Sequence, residues 1–279
     1  MKMLIAGAGG QLGLEFQRQW PHGVRGLTRA QLDITDRAAV LQAVRAEQPQ
    51  VIVNCAAYTA VDRAEADEEA CFQINAAAVA HLVEAADFVR GCLVQISTDY
   101  VFGGRHDASV PHLESDIPEP QGVYARSKLC GERLALQYDR SIVVRTCGLY
   151  GHSPRGNNFV EAIRRLAARQ PVLRVVNDQV CNPTSATSLV RNVLHLLHSD
   201  ACGLIHVVDG PPLSWYDFAR VIVREAGLHV DVEPITTEQF GAPAPRPRYS
   251  ALDTSLLRSL GGQPASVFAA LAEYLAAGA

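Results

Sequence analysis

Along the first half of the chain, short, largely apolar runs alternate with longer stretches whose apolar positions recur at helical spacing. The runs Lys2–Ala6, Val24–Leu27, Val51–Asn54, Cys92–Ser97 and Ile142–Thr146 predict strands. The stretches near 11–20, 37–47, 67–89 and 124–138 predict helices between them. Strands that are apolar on both faces and separated by helices predict a parallel sheet covered on both sides. Right-handed crossovers then give an α/β, doubly wound, Rossmann-type fold. After about residue 147 the pattern loosens. Helices are expected near 157–169, 184–198, 215–226 and 265–276, and strands at Leu173–Val176 and Leu204–Val208. Ser214-Trp215-Tyr216-Asp217 fits a capping box, with Ser214 as N-cap. The proline-rich 241–248 reads as an irregular surface or ligand-facing loop. The expected organisation is a cofactor-binding domain over 1–150 and a smaller C-terminal substrate-binding lobe over 151–279, with approximately 184–210 returning to the first domain.

Composition adds exclusions. A net charge of -4 predicts neither a nucleic-acid partner nor a basic membrane-binding patch. No apolar run approaches the ~18–20 residues of a membrane-spanning helix, and the apolar start meets glycine too soon for a signal peptide. A cytoplasmic protein, monomeric or homodimeric, is expected. The seven cysteines lack a CxxC pair and read as buried, reduced thiols. No HExxH is present, and His195 and His198 read as packing or surface residues rather than metal ligands. Of the 25 basic residues only Lys2 and Lys128 are lysines. Lys128 therefore calls for a reason specific to a compact, tunable ammonium group.

Two motifs carry chemistry. Gly7, Gly10 and Gly13 are spaced three apart in the turn that leaves the first strand and opens the first helix, together with Gln11 and Leu12. Glycines there let the backbone approach a pyrophosphate seated on the helix N-terminus. At the end of the second strand, where an NAD-preferring site places an acid, stand Thr28 and Arg29. A charge-assisted bond from Arg29 to a 2′-phosphate is worth roughly 1.5–3 kcal/mol, about one to two decades in affinity, and predicts NADPH in preference to NADH. Asp33 is placed to bond adenine or to cap a helix. The second motif, Tyr124-Ala125-Arg126-Ser127-Lys128, stacks a phenol and an ammonium on one helix face. A nearby ammonium lowers a phenol's pKa and makes proton transfer feasible. Ser97 and Thr98, at the end of the fourth strand, are placed to bond a substrate carbonyl or to cap the following turn.

The glycine loop, the Thr98/Tyr124/Lys128 set and the order of elements resemble the extended short-chain dehydrogenase/reductases. Within these the chain is similar to the dTDP-4-dehydrorhamnose reductase family, on Gly10-Gln11-Leu12-Gly13, Leu32-Asp33-Ile34-Thr35-Asp36, Asn54 to Asp62, Ser97 to Phe102, Gly156-Asn157-Asn158-Phe159, Val176-Asn177-Asp178-Gln179 and Arg246-Pro247. The resemblance implies hydride transfer to C4 of a dTDP-4-keto-6-deoxy sugar, first of all dTDP-4-dehydrorhamnose to dTDP-L-rhamnose, with Tyr124 as proton donor, Lys128 on the nicotinamide ribose and Thr98 on the carbonyl. It places Gly10, Gln11 and Leu12 on the pyrophosphate and Asp33 and Ile34 at adenine. Ala56, Ala57, Tyr58 and Ile96 would line the cofactor cleft. Thr98, Asp99, Gly148, Asn157, Asn158 and Arg246 would meet the substrate, and Asn75 matches the family's structural-catalytic asparagine. There are two departures. Cys147-Gly148 stands where the family has Ser-Trp, so loss of that aromatic wall is expected to open the pocket. Thr187 replaces a carboxylate that joins an intersubunit metal in some members, so no metal is expected although Glu15 remains. Two rival readings are a 4,6-dehydratase or 4-epimerase that retains NAD, and a non-catalytic NADP-binding regulator. Asp99-Tyr100 after Thr98, where dehydratases show Asp-Glu, weighs against the first. Retention of Tyr124 and Lys128 weighs against the second.

Overall fold

The structure, a computed structural model, describes residues 1–104, 109–154, 157–199 and 201–277; Gly156 of the Gly-Asn-Asn-Phe motif lies outside them. The strands are β1 (Met3–Ala6), β2 (Val24–Leu27), β3 (Val51–Asn54), β4 (Cys92–Thr98), β5 (Ser141–Thr146), β6 (Val172–Val176), β7 (Val180–Cys181), β8 (Gly203–His206), β9 (Leu213–Ser214) and β10 (Asp231–Ile235). The main helices are α1 (Gln11–Gln19), α2 (Arg37–Glu47), α3 (Val61–Ala64), α4 (Glu68–Phe72), α5 (Ala78–Phe88), α6 (Gly122–Ala135), α7 (Phe159–Ala167), α8 (Ala186–His198) and α9 (Trp215–Glu225). Three more, α10 (Thr237–Phe240), α11 (Ser255–Ser259) and α12 (Val267–Ala277), complete the described set.

Among the described residues six parallel strands form one sheet in the order β2-β1-β3-β4-β5-β8. The order reverses between β1 and β3, the switch point at which doubly wound sheets bind ligands. β1 and β3 are buried at every position because helices cover both faces. On one face α1 and α8 pack Leu12, Phe16, Leu189 and Val193 against Met3, Ile5 and Val53. On the other, α2 and α5 pack Val40, Val44, Val79 and Leu82 against Leu4, Ile52 and Leu93. The return of α8 and β8 to this sheet completes it after a long excursion. A separate cluster, including Val160, Ile163, Leu173, Phe218 and Leu271, forms the core of the C-terminal lobe.

Several elements depart from the sequence pattern. The single helix expected over 67–89 is interrupted by a π-helical turn at Gln73–Ala77, which carries Asn75. Such turns widen the helix locally and re-aim a side chain. β10 went unforeseen because Asp231-Val232-Glu233-Pro234-Ile235 is largely exposed and contains a proline; it pairs only with β6, as an edge strand can. Ser214 does cap α9, accepting from the Asp217 N–H at 3.0 Å, but the Asp217 carboxylate accepts from the Ser214 hydroxyl rather than reaching the N-cap backbone. A full capping box instead opens α10, at Thr236 and Gln239.

Helix α6 is locked to the sheet by an ion pair the sequence reading overlooked. Arg145 on β5 forks onto the Glu132 carboxylate at 2.9 and 2.8 Å, and both side chains are buried. Glu132 also accepts from the Ser97 hydroxyl at 2.5 Å. Arg145 further lies over the Phe102 ring and donates toward His206, which burial and the adjacent guanidinium hold neutral, its pKa down to about 3. Removing one member leaves a buried charge without its partner. Arg145→Ala is expected to lower the unfolding free energy by about 3–5 kcal/mol in urea denaturation. A loss below about 1 kcal/mol would show that the pair does not hold the helix.

Candidate active site

The site is built at the sheet's switch point. Gly7 follows β1 with φ of 77°, and a Cβ there would lie 2.6 Å from the Ala56 nitrogen after β3. Glycine is thus required both by the left-handed turn and by the closeness of the two strand ends. Gly7 and Ala8 both donate to the Leu27 carbonyl, which sets Thr28 and Arg29 beside the loop. Gly10 caps α1 without any side chain, so no protein carboxylate or hydroxyl competes for the amides of the first turn, where Gln11, Leu12 and Gly13 lie. An open, dipole-favoured helix start flanked by glycines fits a pyrophosphate.

The turn after β2 is equally open, with Thr28 and Arg29 exposed. Arg29 is exposed, and its charge helps Thr35 hold the Asp33 carboxyl below the usual range; the Thr35 hydrogen bonds dominate. Thr28 closes a local turn on Gln31. Ile34 is buried, and its carbonyl meets His81. Ala56, Ala57 and Tyr58 follow β3. The Asn75 side chain clamps both backbone groups of Tyr58, at 2.9 and 3.1 Å, and donates to the Ser127 hydroxyl at 3.0 Å. The π turn therefore ties the loop after β3 to α6.

Tyr124 and Lys128 do share a face of α6, and Thr98 ends the neighbouring β4. Lys128 is buried, its Nζ donating to the Ile96 carbonyl at 2.6 Å. Burial brings its pKa down to about 8, opposed by the Glu132 carboxylate one turn further along. The expectation that Lys128 lowers the Tyr124 pKa is corrected: burial pushes the phenol well up, Thr98 opposes this, and the nearby Asp99 charge adds to the rise. The Tyr100 ring packs edge-on against Tyr124 at 5.7 Å.

Other expected contacts separate into those facing the crevice and those holding it. Ser97 points away, to Glu132. Thr98 both caps the following turn, accepting from the Tyr100 N–H, and remains close to Tyr124. Asp99 does not present its carboxylate to the crevice: it is buried and accepts from Ser250, from Cys147 Sγ at 2.9 Å and from Thr98 at 3.2 Å. The Asn158 amide is committed to Gln11, Gly151 and Tyr274, and its oxygen caps α7. It joins the C-terminal lobe to the cofactor loop, whereas Asn157 is exposed. Arg246 forks onto Asp62 at 2.7 and 2.9 Å and fastens the proline-rich loop to α3. Arg164 and Arg174 pair with Glu161 and Glu233 on solvated surfaces. The Glu15 carboxylate is taken by Arg18 and Gln19, and Gln19 also reaches the Thr187 carbonyl. The cysteines are unpaired, Cys202 being exposed rather than buried.

The RmlD substrate binding domain model matches residues 1–278. The chain belongs to this family, that of the dTDP-4-dehydrorhamnose reductases. Spore coat polysaccharide biosynthesis protein SpsK of Bacillus subtilis is 38% identical over 278 residues, covering 98% of this chain and 96% of that protein. A dTDP-4-dehydrorhamnose reductase structure from Clostridium acetobutylicum superposes with a TM-score of 0.95 at 40% identity, covering 99% of each chain. The Bacillus anthracis enzyme of that name, solved in complex with NADP, gives 0.94 at 36% identity, covering 99% of this chain and all of that one. For the RmlD-family site described here, the depressed Lys128 pKa has a direct consequence. The ammonium loses its proton as pH rises through about 8. The KM for the nicotinamide cofactor is expected to rise over that range, and Lys128→Arg, whose guanidinium stays charged, to remove the pH dependence. A flat wild-type profile would show that Lys128 does not lose its proton in this range.

Proposed function

We propose that the chain reduces the C4 ketone of a dTDP-4-keto-6-deoxy sugar with NADPH in the cytoplasm, with dTDP-4-dehydrorhamnose, giving dTDP-L-rhamnose, as the first candidate substrate. The observation that carries this reading is the convergence of Thr98, Tyr124 and Lys128 beside a glycine loop open to a pyrophosphate. Similarity to SpsK as well as to the rhamnose-forming reductases keeps the sugar itself to be settled by assay.

Bound NADPH would supply the hydride to C4. The chain's own residues manage charge and position. Thr98 turns its hydroxyl proton from Asp99 to the ketone oxygen and polarises it. Tyr124, whose half-buried phenol holds its proton firmly, gives it up to the alkoxide as that stronger base develops. Lys128 keeps one N–H on the Ile96 carbonyl and has others for the nicotinamide ribose. Arg29, exposed beside the loop, pairs with the 2′-phosphate.

Incubation of a panel of dTDP-, UDP- and GDP-4-keto sugars with NADPH is the decisive assay. Stoichiometric loss of reduced-cofactor absorbance is expected with a dTDP substrate; turnover without net cofactor loss would instead indicate an epimerase or dehydratase. Tyr124→Phe should lower kcat by roughly 10²–10⁴-fold, the usual range for a lost general acid. Arg29→Glu should lower the NADPH/NADH ratio of kcat/KM by about one to two decades, and an unchanged ratio would refute the 2′-phosphate contact.

A further inference from the structure

Gly148 lies just past β5, whose Thr146 is the register partner of Thr98. It therefore opens onto the crevice outside the strand ends. The preceding Cys147 is tied to Asp99, next to Thr98. The expectation that glycine leaves a gap here is not met. Gly148 has φ of 50°, and a Cβ on it would lie 3.1 Å from Cη2 of Trp215 and 3.1 Å from Cα of Pro183. The space that a side chain at 148 would enter is already bordered by an indole supplied from a different part of the chain.

Trp215 is firmly placed. It is the first residue of α9, whose N-terminus Ser214 caps, and its own N–H donates to the Gln179 carbonyl at 3.2 Å. Its ring packs on Phe159, with centroids 4.5 Å apart, and on Phe218 at 6.5 Å. It touches both the C-terminal lobe core and the cluster of Phe102, Leu129 and Cys147 beneath the catalytic strand ends. Phe159 in turn follows Asn158, which bonds Gln11 of the cofactor loop. Trp215 is only partly buried, and it packs against both clusters.

We propose that Trp215 is the aromatic wall of the sugar subsite, packing against the apolar C5–C6 edge of a 6-deoxy sugar, and that Gly148 is glycine to give the ring clearance. This rests on the proposed reduction of a 4-keto-6-deoxy sugar. An aromatic face suits the methyl and C–H groups of such a sugar, whereas a 6-hydroxyl pressed against it would lose hydration without gaining a partner. Trp215 thereby selects for the deoxy position, a task distinct from the proton transfer at Tyr124.

Steady-state kinetics on Trp215→Ala, Trp215→Phe and Gly148→Ala would test the assignment, with unfolding temperature measured on each. Trp215→Ala should raise the KM for the sugar about tenfold, with a smaller loss in kcat and little change in the KM for NADPH. Its preference for the 6-deoxy sugar over the 6-hydroxy analogue should shrink, and Trp215→Phe should recover most of the loss. Gly148→Ala, which presses a methyl onto the indole from the other side, should raise the sugar KM while leaving Trp215 in the chain. In a Trp20→Phe background, which leaves Trp215 as the sole indole, fluorescence should respond to the dTDP-6-deoxy sugar and not to dTDP alone. An unchanged sugar KM in Trp215→Ala would overturn the inference, as would a parallel loss of sugar and NADPH affinity with a fall in unfolding temperature that phenylalanine does not rescue. Failure of the wild-type protein to reduce any dTDP-4-keto-6-deoxy sugar would instead overturn the proposed function, and this inference with it.

Discussion

The carboxylate of Glu132 is the point on which the site's geometry rests. It lies one helical turn beyond Lys128, which itself lies one turn beyond Tyr124, and it faces into the sheet. Its oxygens take the Ser97 hydroxyl from β4 and the Arg145 fork from β5. One buried carboxylate thus fixes the helix carrying Tyr124 and Lys128 against the two strands whose ends form the crevice floor. Such a pair adds little net stability over an apolar substitute. Its directional hydrogen bonds, however, define the rotation and height of α6 against the sheet, and catalysis depends on both.

The same burial shapes the acid. An isolated Tyr/Lys pair suggests a phenol primed to ionise. In the folded protein the desolvation of Tyr124 outweighs its neighbours and favours the neutral phenol, while Lys128 is drawn the other way, toward an ammonium that gives up its charge more readily. A donor that protonates an alkoxide has no need to be acidic in the resting site. It has to be protonated and in place.

Much of this was legible in the sequence because it is local. Strand and helix periods, the glycine loop between β1 and α1, and the four-residue spacing of Tyr124 and Lys128 are short-range features that tertiary packing had no cause to override. The roles of Ser97, Asp99 and Asn158 were not, because proximity to a strand end or helix start does not say which way a side chain turns. Each proved to hold the crevice together. Glu132 was within reach, four residues after Lys128, but its partner Arg145 is brought to it only by the parallel pairing of β4 and β5. Trp215 was the least visible: no pattern around Gly148 announces a ring arriving from α9. The π turn at Asn75 likewise depends on packing against α6 rather than on any helix-breaking residue.

The late return of β8 has a consequence for how such a protein can be divided. Until His206 has emerged from the ribosome, β5 offers the nascent chain an unpaired edge, and α1 lacks the α8 surface it packs on. A piece cut between the nucleotide half and the substrate half would carry that exposed border, which invites pairing with other chains. Recombination that exchanged everything after β5 would also exchange part of the nucleotide-binding sheet. New sugar specificities in this architecture are therefore more accessible through substitutions at the seam, such as the exchange of bulk between positions 148 and 215, than through the shuffling of intact lobes.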